Sequence, residues 1–377
     1  MIDLLELRDE IDVIDKQITE LFLKRMDICS KVAEYKINTG KQVLDTKREK
    51  DKIEKVKSYV EDDFMKHGVA ELFMQIMAMS RKLQYRLLEE NNIHDEVPLE
   101  KIEDINRQDI TVVYPGVPGA YSEQAMINYF GENVNHFNVV TFREAMDALR
   151  DKKADYAVFP IENSSAGIVN DTYDLLKEYD NYIVAETFVK IEHALLGTAD
   201  SDISDIRTVY SHPQGLMQCQ EFLEEHKEWN QISLANTAIA ARKVKDDGDK
   251  TQVAIASKIA ARNYGLKILK EAINTNSNNT TRFVIVSNKP QFTKDADKIS
   301  ICFETPNEAG SLYNMLSHII YNGLNMTRIE SRPLMDGNFG SRFYVDFEGC
   351  LTDASVKNAL RGISSEAITY RLLGNYR

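Results

Sequence analysis

Residues 7–36, LRDEIDVIDKQITELFLKRMDICSKVAEYK, decide how the chain begins to fold. In and just before this stretch, Leu4, Leu7, Ile11, Ile14, Ile18, Leu21, Ile28, Val32 and Tyr35 fall at alternating steps of three and four. That spacing draws one apolar seam along a long helix. Asn38-Thr39-Gly40 supplies its stop, because glycine takes the left-handed turn that closes a helix. The pattern predicts a shorter helix over 46–60 and a third over 64–90, with no strand between. Three helices, one of them long and seamed, cannot close a large core alone. The natural remedy is a second copy of the chain laid along the seam.

Beyond this segment the texture changes twice. Residues 91–108 (NNIHDEVPLEKIEDINRQ) lose the periodicity and read as a linker. From 109 to 288 strand and helix alternate. An apolar run over 110–114 meets the glycine-rich loop 115–119, a helix starts near Ser122, and further strands are predicted over 156–161, 182–189, 208–210 and 253–256. The length allows two lobes with a cleft. From 298 to 377 the order is strand 299–303, helix 311–321, strand 326–333, turn Asp336-Gly337-Asn338, strand 342–348, helix 354–361 and strand 367–373. That is the βαββαβ order of a ferredoxin-like fold. The expected protein is therefore multidomain: all-α over 1–90, α/β and two-lobed over 109–288, and α+β over 298–377.

Composition narrows the function. A formal net charge of −13 argues against nucleic acid or an anionic membrane as partner. It also makes any anionic substrate depend on local clusters of Arg and Lys. Cys29, Cys219, Cys302 and Cys350 form no CxxC pair, which speaks against a zinc site or disulfide framework and for the reducing cytoplasm. No metal or cofactor is expected. The acidic, amphipathic start is unlike a signal peptide, and no apolar run reaches the ~18 residues that span a membrane.

The helical segment carries a polar constellation. Continuing the seam past Leu21 brings Arg25, a charge that costs stability unless it finds a partner. Alone it reads as an arginine that snorkels or pairs with a nearby carboxylate. Lys36 lies three turns further on. Asp45, Arg48 and Glu49 share a face of the second helix, and Ser80 and Gln84 share one on the third. Together they can line a polar pocket with enough cations for a small dianion. Arg8 and Arg25 are separated by roughly 25 Å at ~1.5 Å per residue, so both can serve one pocket only if Arg8 comes from a second subunit.

Residues 7–36, followed by VLDTKREKDKI and SRKLQ, resemble the all-helical chorismate mutase family. The resemblance implies that Arg8 (from the partner chain), Arg25, Lys36 and Arg48 bind the carboxylates and ether oxygen of chorismate. It implies that Asp45, Glu49, Ser80 and Gln84 hold the hydroxyl, a carboxylate and the ether oxygen. Lys36 and Gln84 are the expected donors to that oxygen. The rearrangement to prephenate is a single pericyclic shift, so it needs a held conformer and stabilised negative charge rather than a nucleophile or proton relay.

In the α/β segment, Pro115-Gly116-Val117-Pro118-Gly119 offers backbone N–H groups to a carboxylate, or is simply the turn between a strand and a helix. Residues 160–167 (PIENSSAG) follow one strand and residues 211–214 (SHPQ) another, at ends where open α/β sheets gather ligands. With residues 278–283 (NNTTRF), these segments resemble prephenate dehydratase. The resemblance implies a two-lobed fold like that of periplasmic binding proteins. It makes Thr281 the catalytic residue, with Glu162, Asn163, Ser164, Ser211, His212, Gln214, Arg282 and Phe283 lining the substrate site. Prephenate loses carbon dioxide and its ring hydroxyl to give phenylpyruvate, and a threonine O–H can help the hydroxyl leave. His212 is either a proton donor or a structural hydrogen-bonder, and its place before proline favours the second.

The tail resembles phenylalanine-binding ACT domains through Gly310-Ser311-Leu312 and through Asn325 with Glu330-Ser331-Arg332-Pro333. Serine at 311, where alanine is common, leaves effector affinity open. The resemblance implies feedback by phenylalanine and a homo-oligomer, dimer or tetramer. Two rivals remain within catalysis: a decarboxylase-type relative, against which Thr281 speaks, and an arogenate dehydratase. A non-catalytic amino-acid sensor is a third, and the intact mutase and dehydratase motifs count against it.

Overall fold

The structure, a computed structural model, describes residues 3–91, 93, 99–105, 108–334 and 340–377. The chain forms two compact units. One holds residues 1–98 with 301–371, the other 99–300 with 372–377. This regroups the expected domains, because the helical segment and most of the ferredoxin-like segment share a unit.

In the first unit the three expected helices are α1 (Leu4–Thr39), α2 (Thr46–Lys57) and α3 (Asp63–Glu90). Their ends follow local chemistry. Asp3, Asp45 and Asp62 are N-caps, accepting from the backbone N–H of Leu5, Arg48 and Met65 respectively. Gly40 closes α1 at φ 68°, a conformation nearly free for glycine alone. Only Ala33 of α1 is buried. The seam stays open to solvent in the single chain: Ile11 is 54%, Ile14 52%, Ile18 54% and Leu21 67% exposed.

Helix α3 is instead well covered, burying Met77, Ala78, Ser80, Arg81, Lys82, Gln84 and Tyr85. The C-terminal segment runs strand Lys298–Glu304, helix Ser311–Tyr321, strands Met326–Pro333 and Ser341–Glu348, helix Ala354–Glu366 and strand Thr369–Tyr376. The strand order, second-third-first-fourth, gives the expected βαββαβ fold and leaves Met326–Pro333 at an edge. The expected turn Asp336-Gly337-Asn338 lies outside the described residues.

The second unit has two lobes. The first carries strands Tyr182–Lys190, Thr280–Ser287, Tyr156–Asn163, Thr111–Pro115 and Asn135–Val139, in that order across the sheet. Val112, Tyr114, Val158, Val184 and Phe283 form its core. The second lobe orders Lys267–Lys270, Ala194–Gly197, Gln252–Ala256, Thr208–Ser211 and Asn230–Ser233. The chain enters it after Lys190 and leaves it before Thr280. Gly374 pairs with Ile183, so the last residues join the first lobe.

One expectation needs correction here. Residues 99–105 are not linker: Glu100–Ile102 pairs in parallel with Gln291–Thr293, and Leu99 and Ile105 are buried. Three apolar residues among charges are enough to seal an edge strand.

Candidate active sites

A cavity of about 490 Å³ lies among α1, α2 and α3. Seven residues singled out in the sequence line it: Arg25, Lys36, Asp45, Arg48, Glu49, Ser80 and Gln84. Arg8 does not. It sits near the start of α1, exposed, and α1 is one unbroken helix, so the 17-residue separation stands as a real distance.

Inside the cavity each polar group has a local reason for its pose. Arg25 Nη1 donates to Ser80 Oγ at 2.5 Å, which offsets the cost of a charge on the seam. Lys36 Nζ donates to the carbonyl of Val43 at 2.6 Å, tying α1 to the connection before α2. Burial lowers the Lys36 pKa; Asp45 and Glu49 oppose this, while the Arg48 cation adds to it. Asp45 caps α2 through Arg48 N. Gln84 Nε2 donates to the carbonyl of Ser80 at 3.1 Å and its Oε1 is buried without a partner.

The lining contains six basic side chains, including Lys52, Lys55 and Arg81, against the three acids Asp45, Glu49 and Asp51. In a chain of net charge −13 this is a local positive field suited to a dianion. No histidine lines it.

Arg81 was not singled out from sequence, although it stands inside the SRKLQ motif. It is buried, and its Nη1 reaches both oxygens of Glu49, at 2.7 and 2.6 Å. The only sequence signal was a second arginine beside Ser80 on the buried face of α3.

In the second unit, Thr281 opens the strand Thr280–Ser287 and is 7% exposed. Asn163 Nδ2 donates to Thr281 Oγ1 at 2.8 Å and to Asn279 Oδ1 at 2.8 Å. Asn163 Oδ1 in turn accepts from the N–H groups of Ser165 and Ala166. The side chain of Asn163 is therefore fixed at both ends. Ser164 N donates to the Thr280 carbonyl, and Thr280 N to Ser164 Oγ, so the two strand ends are laced together. Glu162 stands opposite Arg282 in the same ladder.

A cavity of about 390 Å³ beside this lacing is lined by Ser164, Gln214, Gln218, Asn274 and Asn279, among others. Asn279 Nδ2 is buried without a partner, a donor held at its wall. Gln218, Asn274 and Asn279 were not singled out from sequence. Gln218 Oε1 lies 2.9 Å from His193 Nε2, and His193 Nδ1 lies 3.0 Å from the Tyr121 hydroxyl. Burial lowers the pKa of His193.

Other expected residues have structural partners. Ser211 is fully buried and donates to the carbonyl of Ile255. His212 Nδ1 accepts from Gln214 N at 3.1 Å and caps the short helix Pro213–Gln218. Arg282 points away from Thr281, as alternation along a strand requires: its Nε donates to Glu186 at 2.6 Å and its Nη2 to the Tyr376 hydroxyl. Phe283 is in the core. Of the residues expected in this site, Ser164 and Gln214 line the cavity, whereas Thr281, Glu162, Asn163, Ser211, His212, Arg282 and Phe283 do not.

Both glycine N–H groups of the glycine-rich loop are engaged. Gly116 N donates to the Val139 carbonyl and Gly119 N to Glu123 Oε2. Gly119 also has φ 92°, and a Cβ there would lie 2.8 Å from Ala260. This loop seats one lobe on the other.

In the C-terminal segment, Gly310 caps helix Ser311–Tyr321 at φ 81°, with Ser311 and Leu312 half-buried in the first turn. Asn325 leads into the edge strand. Along that strand Glu330 accepts from Arg328, Ser331 faces Phe343, Arg332 faces Arg342, and Pro333 ends the ladder.

Two family models match the chain over the first two of these sites. Residues 7–85 match chorismate mutase type II and residues 112–291 match prephenate dehydratase. A bifunctional chorismate mutase/prephenate dehydratase from Buchnera aphidicola is 30% identical over 99% of this chain and 96% of its own. Among solved structures, a prephenate dehydratase from Arthrobacter aurescens in complex with L-Phe is 29% identical, with TM-score 0.66 over 71% of this chain and 89% of that one. A protein described as a novel type of quorum quenching acylase is 33% identical, with TM-score 0.66 over 71% of this chain and 97% of its own. With both parts present in order over nearly the full length, the chain belongs to the family of bifunctional chorismate mutase/prephenate dehydratases.

Proposed function

We propose that the first unit rearranges chorismate to prephenate, that the second converts prephenate to phenylpyruvate, and that phenylalanine inhibits through the C-terminal segment. The observation that carries the reading is the 490 Å³ cavity, with six basic side chains and no histidine. Such a lining suits a reaction that asks for a gripped dianion and charge stabilisation only. Arg25 and Arg48 take the carboxylates. Lys36, freed from Val43, donates to the ether oxygen, and Gln84 does so once its amide turns from Ser80. Glu49 holds the ring hydroxyl. Arg8 of a second copy completes the site, and the exposed α1 seam is the surface that brings it there.

For the dehydratase, a hydroxyl has one donor and two acceptor positions. Asn163 occupies an acceptor position of Thr281, which leaves its O–H to donate to the departing ring hydroxyl. Asn279 and Gln214 hold the substrate from the cavity wall, while Ser211, Arg282 and Phe283 set the frame beneath it. The left-handed cap at Gly310 and the edge strand ending in Glu330-Ser331-Arg332-Pro333 form two walls for an amino acid, closed by a second copy. The four cysteines, all free thiols, suit a reducing cytoplasm.

Separate assays of the two half-reactions test the assignment. Arg25→Ala is expected to lower mutase turnover by ~10²-fold or more, the scale of losing one preorganised charge-stabilising group, and to leave turnover of supplied prephenate intact. Thr281→Ala is expected to do the reverse, through kcat more than KM, with Thr281→Ser retaining more activity. Equal loss of both activities in either folded variant would overturn the two-site reading.

A further inference from the structure

Arg81 joins two carboxylates that come from distant parts of the sequence. Its Nη1 holds both oxygens of Glu49 on α2, while its Nε and Nη2 hold Glu366, at 2.7 and 3.2 Å, at the end of helix Ala354–Glu366. The Arg81 and Glu366 side chains are 8% and 7% exposed, and Glu49 is 27% exposed where it faces the cavity. A planar guanidinium with a fixed fork of donors transmits geometry from one carboxylate to the other in a way that an ammonium cannot.

The far end is itself fixed. His318 Nε2 lies 3.2 Å from Glu366 Oε1. A Cβ at Gly362 would lie 2.2 Å from the His318 ring, so only glycine admits the histidine there. Burial would raise the Glu366 pKa, but His318 and Arg81 outweigh it and hold the carboxyl down to about 2, so it is an anion at working pH.

Resting on the reading of the 490 Å³ cavity as the mutase site, we infer that Arg81 is a positioning residue which fixes the Glu49 carboxylate from an anchor, Glu366, in the C-terminal segment. The C-terminal segment is then part of the mutase pocket's support. A shift of helix Ala354–Glu366 would be felt at Glu49 without any movement of α1.

A double-mutant cycle in the full-length chain tests this. Glu366→Gln keeps shape and loses charge. It is expected to lower mutase kcat by about tenfold, on the order of one strong hydrogen bond's misalignment, with a smaller change in KM and normal dehydratase turnover. In a Glu49→Gln background the same substitution is expected to cost less than about twofold, because the group it positions is already gone. Arg81→Lys is expected to give the same non-additivity, and serves if Glu366→Gln melts below assay temperature. Additive losses across the cycle, or an unchanged kcat in Glu366→Gln, would overturn the relay alone. A wild-type chain with no mutase turnover would overturn the mutase reading and the relay with it.

Discussion

At the scale of single residues, the two sites use burial in opposite ways. Lys36 is half-buried among Arg48, Asp45 and Glu49, and desolvation lowers its pKa below the ordinary lysine value. The charged form is the one that stabilises a developing oxyanion, so activity is lost as pH rises through the lowered value. Mutase kcat/KM is therefore expected to fall on an alkaline limb that begins below the ~10.4 of a free lysine, a limb absent from the dehydratase profile. A mutase rate flat through that range would remove Lys36 from its role. At Thr281 a neutral contact matters instead: Asn163, pinned by Ser165 and Ala166, donates to Oγ1 and so keeps the threonine O–H from pointing at Asn163. Arg81 shows the limit of reading residues singly. Its motif was visible, but its partner Glu366 lies 285 residues away.

At the scale of elements, what is local was legible and what is paired across the chain was not. The Gly40 stop, the three helices and the βαββαβ order all follow from near neighbours in sequence. Strands Asn135–Val139, Asn230–Ser233 and Lys267–Lys270 escaped because they are short, polar edge or near-edge strands whose partners supply most of the order. Glu100–Ile102 escaped for the same reason. Asn163, Ser164 and Thr281 meet at one lacing of two strand ends, which their separation in sequence hid, whereas strand alternation turns Arg282 to Glu186. The exposed seam of α1 makes its own prediction. Mixed dimers of Arg8→Ala and Arg25→Ala protomers hold one pocket with neither change, so mixing the two inactive proteins is expected to restore mutase activity toward a quarter to a half of normal per dimer population. No recovery, with subunit exchange verified, would mean that Arg8 serves no neighbour.

At the scale of the whole molecule, the first unit joins the mutase helices to most of the proposed sensor, while the last six residues return to the dehydratase unit. Cutting the chain near residue 289 would therefore strip a strand that pairs with Tyr182–Lys190, and a point change is the cleaner probe of feedback. Gly310→Val forces a branched side chain into the left-handed region. It is expected to weaken inhibition by phenylalanine about tenfold or more, since one lost wall contact of ~1.4 kcal/mol is a factor of ten in affinity. Unchanged inhibition would move the effector site elsewhere. If one polypeptide performs two successive reactions, chorismate given to the purified protein as its only substrate must pass through both, and its fate can be followed over time. Chorismate is expected to disappear, prephenate to rise and fall, and phenylpyruvate to accumulate in equal amount. Chorismate left unconsumed, or prephenate accumulating with no phenylpyruvate, would contradict the two-reaction reading.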